Sequence, residues 1–329
     1  MSQFGIPNLD PALEADLIVG MAEVEVFLRE AIEGKYPLVI ETSRHLVDAG
    51  GKRLRPLMVL LAAQFGNPKA KGIKEAAVVC ELTHLGTLYH DDVMDEAPLR
   101  RGVESANNRW GNTVAILTGD YLFAKTSQLL ADLGPEAVRL QALTFERLVI
   151  GQITETQGHT DGKSQIDHYI SVIADKTASL LSASARYGAI ISGADSKVVE
   201  ALTKFGEEIG IVFQLADDII DIESTSGESG KTPGTDLREG VPTLVTLQIL
   251  ESNDPADAEL KKILSAPIVD ETIVIRTLEA LRTHKAMDQA KEIVQKYAAS
   301  ARKHLETLPE GKAKAALVEL SDAVITRSS

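Results

Sequence analysis

The sequence predicts an all-α fold, one domain over residues 1–329, and three observations point there. Apolar residues recur at three- and four-residue spacing through most of the chain, the period that gathers them on one helical face. Convincing apolar–polar alternation, the mark of a half-buried strand, is hard to find anywhere. Punctuating residues then divide the chain into helical segments of about ten to twenty-five residues.

Asp10-Pro11 opens the first segment, because proline presets the helical φ where its missing N–H costs nothing. Asn67-Pro68 precedes another, Gly134-Pro135 starts a third, and Pro98 closes the helix that holds Asp91. The stretch from Glu223 to Gly240, rich in Ser, Gly and Thr, is the longest segment expected to be non-helical. It is too short and too interior for a domain linker and reads as a functional loop, with Lys231 and Arg238 as cations at the edge of a site.

With 44% hydrophobic residues the 329-residue chain can fill a sizeable core. Its longest apolar runs, such as Leu57 to Phe65, are broken well before the ~20 residues a bilayer span needs. The N-terminal MSQFGIPNLD has no basic stretch followed by an apolar one, so no secretory signal is read there. The single Cys80 has no second thiol to pair with and fits a reducing, cytoplasmic setting. A net charge of −14 argues against nucleic acid as a partner, since a broad basic surface is missing. Where Lys and Arg do cluster in so acidic a chain, a compact polyanion such as a diphosphate is the better guess.

Two segments share one pattern: Asp91-Asp92-Val93-Met94-Asp95 and Asp217-Asp218-Ile219-Ile220-Asp221. Residues four apart lie on one helical face, so each segment presents its first and last carboxylates together, with the second Asp flanking them. Like charges so close repel, and near a helix C-terminus they also oppose the helix dipole, so a cation is expected. A few carboxylates with positions left for water and phosphate suit Mg²⁺ better than Ca²⁺. Apolar neighbours, Leu85, Leu88 and Val93 around the first motif and Phe213, Leu215, Ile219 and Ile220 around the second, imply helices buried on one side. An exposed acidic helix end is the plain alternative for one such motif, and a poor one for two.

Gly51-Lys52-Arg53-Leu54-Arg55-Pro56 places three cations at the head of an apolar helical run, where free N–H groups also favour an anion. Arg100-Arg101-Gly102 follows the first Asp motif and can reach back over a metal-bound anion.

On these residues the chain resembles the trans-polyprenyl diphosphate synthases over nearly its whole length: GKRLRP, HDDVMD followed by RRG, FQLADDIID and GKTPGTDLREG are similar to that family's motifs. The resemblance implies one α-helical bundle around a deep central cavity, usually a homodimer, with the two Asp motifs facing each other across its mouth. Carried over position by position, it implies that Asp91, Asp92, Asp95, Asp217, Asp218 and Asp221 hold Mg²⁺ on an allylic diphosphate. Arg100, Lys176, Thr177, Gln214 and Lys231 would contact that substrate, with Lys176 among the catalytic groups. Lys52, Arg55, His84 and Arg101 would bind isopentenyl diphosphate. Alone, His84 reads as a packed or capping residue and Lys176-Thr177 as a polar patch. Where many relatives carry a second Lys after the loop, this chain has Val241, so that contact is in doubt. The implied reaction joins the two diphosphates head to tail toward a long all-trans chain, with transient membrane contact for a greasy product. The nearest competitors are a terpene cyclase, which usually changes the second Asp motif, and a non-catalytic regulatory subunit, which tends to lose one.

Product length is expected to depend on the helix leading into Asp91. Gly86 and Thr87, five and four residues earlier, lie one turn deeper and are the first possible floor for a growing tail. Neither is large enough to stop it, so products of about six or more units are expected at ~5 Å per unit and per turn. In the alternative reading, Gly86 merely allows close helix packing.

Overall fold

A computed structural model of the chain describes residues 2–159, 162, 164–224 and 233–326. Among these residues there are sixteen α-helices, one π-helical turn, one 3₁₀ turn and one two-stranded ribbon. The first half contains α1 (Pro11–Ala31), α2 (Pro37–Asp48), α3 (Leu54–Ala63), α4 (Ile73–Met94), α5 (Ala106–Trp110), α6 (Asn112–Leu133) and α7 (Pro135–Gln157). After it come α8 (Gln165–Ile173), the π-turn Ala174–Ala178, α9 (Ser179–Ile191) and α10 (Ser196–Glu223). The chain ends in α11 (Thr235–Glu239), α12 (Leu244–Glu251), α13 (Ala258–Leu264), α14 (Glu271–Arg282), α15 (Lys285–Glu306) and α16 (Lys312–Thr326).

The expected punctuation holds at Pro11 and Pro135. Asp10 caps α1 by accepting from the amides of Ala12 and Leu13, and Gly134 precedes Pro135 at the start of α7. The innermost helix is α3, where every residue from Pro56 to Ala63 is buried, as an all-apolar helix must be. It packs on α9 and α4; α4 packs on α6, and α10 on α9 and α15. At the α4–α6 crossing a Cβ on Gly119 would fall 3.0 Å from the carbonyl oxygen of Gly86, so a side chain there would push the helices apart.

Three expectations are corrected. The helix of the first Asp motif stops at Met94, and Asp95 is its C-cap, with its amide bonded to the Asp91 carbonyl at 2.8 Å. Leu99–Arg100 and Val103–Glu104 form a short antiparallel ribbon where no strand is expected. Its two turn residues, Arg101 (φ 54°) and Gly102 (φ 78°), both have the positive φ that a two-residue hairpin turn requires. Finally, the segment expected to be non-helical contains α11. Among the described residues, no helix is long and apolar enough to cross a membrane.

Candidate active site

The C-terminal ends of α4 and α10, the loop before α3, the ribbon after α4 and the π-turn all border one cavity of about 930 Å³. Along α4 the lining stripe is His84, Thr87, Leu88, Asp91 and Asp95; along α10 it is Gly210, Phe213, Gln214 and Asp217, joined by Asp218. Three- and four-residue spacing explains both stripes.

Within the first motif, Asp91 and Asp95 line the cavity, whereas Asp92 is fully buried. Asp92 lies on the core-facing stripe with Leu85 and Tyr89, and its Oδ1 accepts from Arg100 Nε at 2.6 Å. Burial and the neighbouring Asp95 charge push the Asp91 carboxyl up to about 6, against the pull of Lys176. In the second motif, Asp218 is the buried member, beside Ile211, Leu215 and Ile222 on its stripe. It accepts from the Tyr169 hydroxyl and, at 2.9 Å, from Gln214 Nε2. Asp221 points to the following loop, where the amides of Thr235 and Asp236 donate to its carboxylate at 3.3 Å each. Burial raises the Glu239 carboxyl, and the charges of both Asp95 and Asp221 add to the effect, so the two motifs meet around α11.

Cations stand over these carboxylates. Lys52 Nζ is 3.5 Å from Asp217 Oδ1 and lies 4.8 Å from the centre of the Phe213 ring, nearer the second Asp motif than its expected grouping implies. Arg55 lines the cavity with a buried Nε that has no hydrogen-bond partner among the described residues, and burial lowers its pKa. His84 lines the same wall, and burial beside Arg55 and Arg101 holds it well below the usual imidazole range, hence neutral. Arg101 donates to the carbonyls of Leu46 and Gly50 and lies 3.8 Å from Glu81. The third cation of the first cluster, Arg53, is structural: it bonds Glu25 at 2.5 Å, buried Glu81 at 2.8 Å and the Val47 carbonyl at 2.9 Å, bracing the loop. On the far side, Lys176 Nζ bonds Glu155 at 2.5 Å, and Thr177 Oγ1 donates to Gln214 Oε1 at 3.4 Å. Lys231 lies outside the described residues. Arg238 turns away to Glu271, through bonds of 3.1 and 2.5 Å, so it is not the site-edge cation expected.

The rest of the wall is largely apolar: Ile116, Phe123, Phe145, Leu148, Val149, Ile153 and Leu181, of which Ile116, Val149 and Ile153 are exposed. Here the expectation for Gly86 needs correcting. A Cβ on Gly86 would lie 2.9 Å from the Phe123 ring, so the glycine seats an aromatic side chain from α6 instead of leaving an opening. Thr87 does line the cavity, with its hydroxyl donating to the His84 carbonyl at 2.8 Å. The Phe123 and Phe145 rings are tilted together at 4.7 Å between centroids, and His90 meets Phe123 edge-on at 5.6 Å. The reading of the sequence missed both phenylalanines, as well as Tyr169, Asp236 and Glu239. The phenylalanines belong to no motif, and their one signal is the mid-helix glycine that makes room for Phe123.

A family model described as polyprenyl synthetase matches residues 36–281. The chain is 46% identical over 324 residues to a nonaprenyl diphosphate synthase of Mycobacterium tuberculosis, covering 98% of this chain and 97% of that protein. A crystal structure of geranylgeranyl pyrophosphate synthase from Corynebacterium glutamicum, complexed with calcium and isoprenyl diphosphate, is similar with a TM-score of 0.87 at 42% identity, over 97% of this chain and 98% of that one. A decaprenyl diphosphate synthase from Rhodobacter capsulatus gives a TM-score of 0.87 at 32% identity, over 97% and 99% of the two chains.

Proposed function

Since the chain belongs to the polyprenyl synthetase family and is a prenyltransferase, we propose that it condenses isopentenyl diphosphate with an allylic diphosphate, head to tail, into a long all-trans polyprenyl diphosphate. The observation behind this reading is the single cavity that has two carboxylate motifs and two cation clusters at its mouth and an apolar wall beneath.

The donors at the mouth suit Mg²⁺. They are carboxylate oxygens, and a hard ion that keeps several waters takes one or two of them plus phosphate oxygens. Among the described residues no three such groups form a ready-made cluster, which an ion completed by substrate does not require. Asp91, Asp95 and Asp217 would share the bound Mg²⁺, one or two carboxylates to each ion, and the metal would neutralise the negative charge that develops on the departing diphosphate.

Lys176, Thr177 and Gln214 would receive the allylic diphosphate, with Arg100 anchored beside them by Asp92. Lys52, Arg55, His84 and Arg101, which all line the cavity, would hold isopentenyl diphosphate. The allylic C–O bond breaks, the isopentenyl double bond attacks the allylic carbon, and the released pyrophosphate takes the proton that is lost. Apolar side chains below keep water from the cation.

A shorter product, of about four isoprene units, is the second reading, favoured by the Phe123–Phe145 pair across the tail's path. Product analysis with each primer and Mg²⁺ tests both. Chains of roughly six or more units support the first reading and a stop near four supports the second, while no consumption of isopentenyl diphosphate defeats both. If Phe123 is the stop, Phe123→Ala lengthens the products by about one unit or more, the depth of one helical turn. Gly86→Phe would clash with Phe123 and so reports packing, not length. The exposed apolar side chains Leu117, Val138, Leu143 and Ile150 on α6 and α7 are consistent with a homodimer, which sedimentation would check.

A further inference from the structure

Lys176 and Thr177 reach the cavity from the π-turn Ala174–Ala178, where one extra residue is accommodated in a helical run from Gln165 to Ile191. Without the extra residue, the side chains beyond it would rotate by about 100°, the angle per helical residue. The turn therefore sets where the two polar groups point, and it needs neighbours that make it the preferred geometry. Two glycines allow those neighbours to close in. A Cβ on Gly151 of α7 would lie 2.7 Å from the Lys176 amide nitrogen, and one on Gly210 of α10 would lie 2.6 Å from the Ala178 Cα.

Four residues before Gly151, on the same face of α7, Arg147 fastens the assembly. Its Nε donates to Asp175 Oδ1 at 2.7 Å and its Nη2 to the Ala174 carbonyl at 3.2 Å, both within the turn. The same guanidinium grips Glu207 of α10 through two bonds, of 3.0 and 2.5 Å. One planar side chain thus joins α7, the π-turn and α10, a fork that an ammonium group could not reproduce. Arg147 does not itself line the cavity.

We propose that Arg147 is a positioning residue for prenyl transfer: backed by Gly151, it fixes the π-turn so that Lys176 and Thr177 face the allylic diphosphate. This rests on the reading of those two residues as substrate contacts. Lys52, Arg55 and His84 are on the loop before α3, on α3 and on α4, elements to which the described Arg147 bonds do not reach, so the clamp should act mainly on the allylic substrate.

Steady-state kinetics of Arg147→Ala, Lys176→Ala and the double variant test it, with circular dichroism to confirm folding. Arg147→Ala should lower kcat roughly 10- to 100-fold, the scale of a small misplacement of a reacting group, and raise KM for the allylic substrate. KM for isopentenyl diphosphate should stay within about twofold, and Arg147→Lys should recover only part of the loss. In the Lys176→Ala background, removing Arg147 should cost no more than about threefold further, because the two act through one contact. Should Arg147→Ala fail to fold, Glu207→Gln, which keeps the shape and weakens the grip, should show the same kinetic split at smaller size. Unchanged kcat in Arg147→Ala, equal rises in both KM values, or fully multiplicative losses would overturn the clamp while leaving Lys176 as a contact. Near-normal turnover in Lys176→Ala would overturn that contact and the clamp with it.

Discussion

The two Asp motifs read alike along the chain, yet the ends of α4 and α10 treat them differently. On α4 the helix stops within the motif, so Asp95 is a C-cap, whereas α10 runs two residues past Asp221, which turns to the amides opening α11. In both, the second Asp belongs to the core-facing stripe. Asp92 is neutralised there by Arg100, and Asp218 is held by Tyr169 and Gln214. A shared five-residue pattern therefore divides into carboxylates open to the cavity, Asp91, Asp95 and Asp217, and buried ones that fix a neighbour, of which Asp218 still borders the cavity.

The largest effect separates the two kinds of carboxylate. Asp91→Ala and Asp217→Ala should each lower kcat by about 10³-fold or more, the scale of losing preorganised charge stabilisation, while the helical circular dichroism persists. Turnover within tenfold of wild type for either one would erase the distinction.

Next in size is the difference between the buried pair. Asp92→Asn leaves Arg100 without its countercharge but also removes a carboxylate that burial raises above its ordinary range, and Arg100 is 30% exposed, so the cost in urea unfolding should be only about 1 kcal/mol. Asp218→Asn, which can keep a bond from Tyr169, should cost less than about 1 kcal/mol. The reverse order would mean that the two settings are misjudged.

The last effect has the opposite sign. The folded Asp91 pKa, about 6, lies above the ordinary aspartate value of 3.8, so folding takes up a proton and wild-type stability falls as pH rises between them. In chelator, Asp91→Asn should match wild type near pH 4 and exceed it by about 1–2 kcal/mol above pH 6. A stability gap that does not grow with pH would remove burial as the cause.

The helical fold was readable from the sequence, and so were most of the motif residues that line the cavity, because both are short-range properties: three- and four-residue spacing forms the helices, and each motif lies within a few residues. Even the burial of Asp92 has a local sign, since it follows Leu85 by seven residues and Tyr89 by three. What could not be read is set between helices. Phe123 meets Gly86 and Phe145 across three different helices, and no spacing along the chain announces those meetings. The π-turn is likewise stabilised from outside, by Arg147 and two glycines on flanking helices, and its own five residues give no cue.

The seat of Phe123 has a further consequence. The ring and Gly86 share one space at the α4–α6 crossing, and Gly119 there gives room to the His90 ring that meets Phe123 edge-on, so a bulkier residue at 86 cannot be accepted unless Phe123 shrinks, nor one at 119 unless His90 moves or the helices part. These positions should therefore vary together among descendants of this sequence. Whatever length the ring imposes on the tail would then drift as a trait of its own, inherited on α6 and separable from the carboxylates and cations that carry out the chemistry.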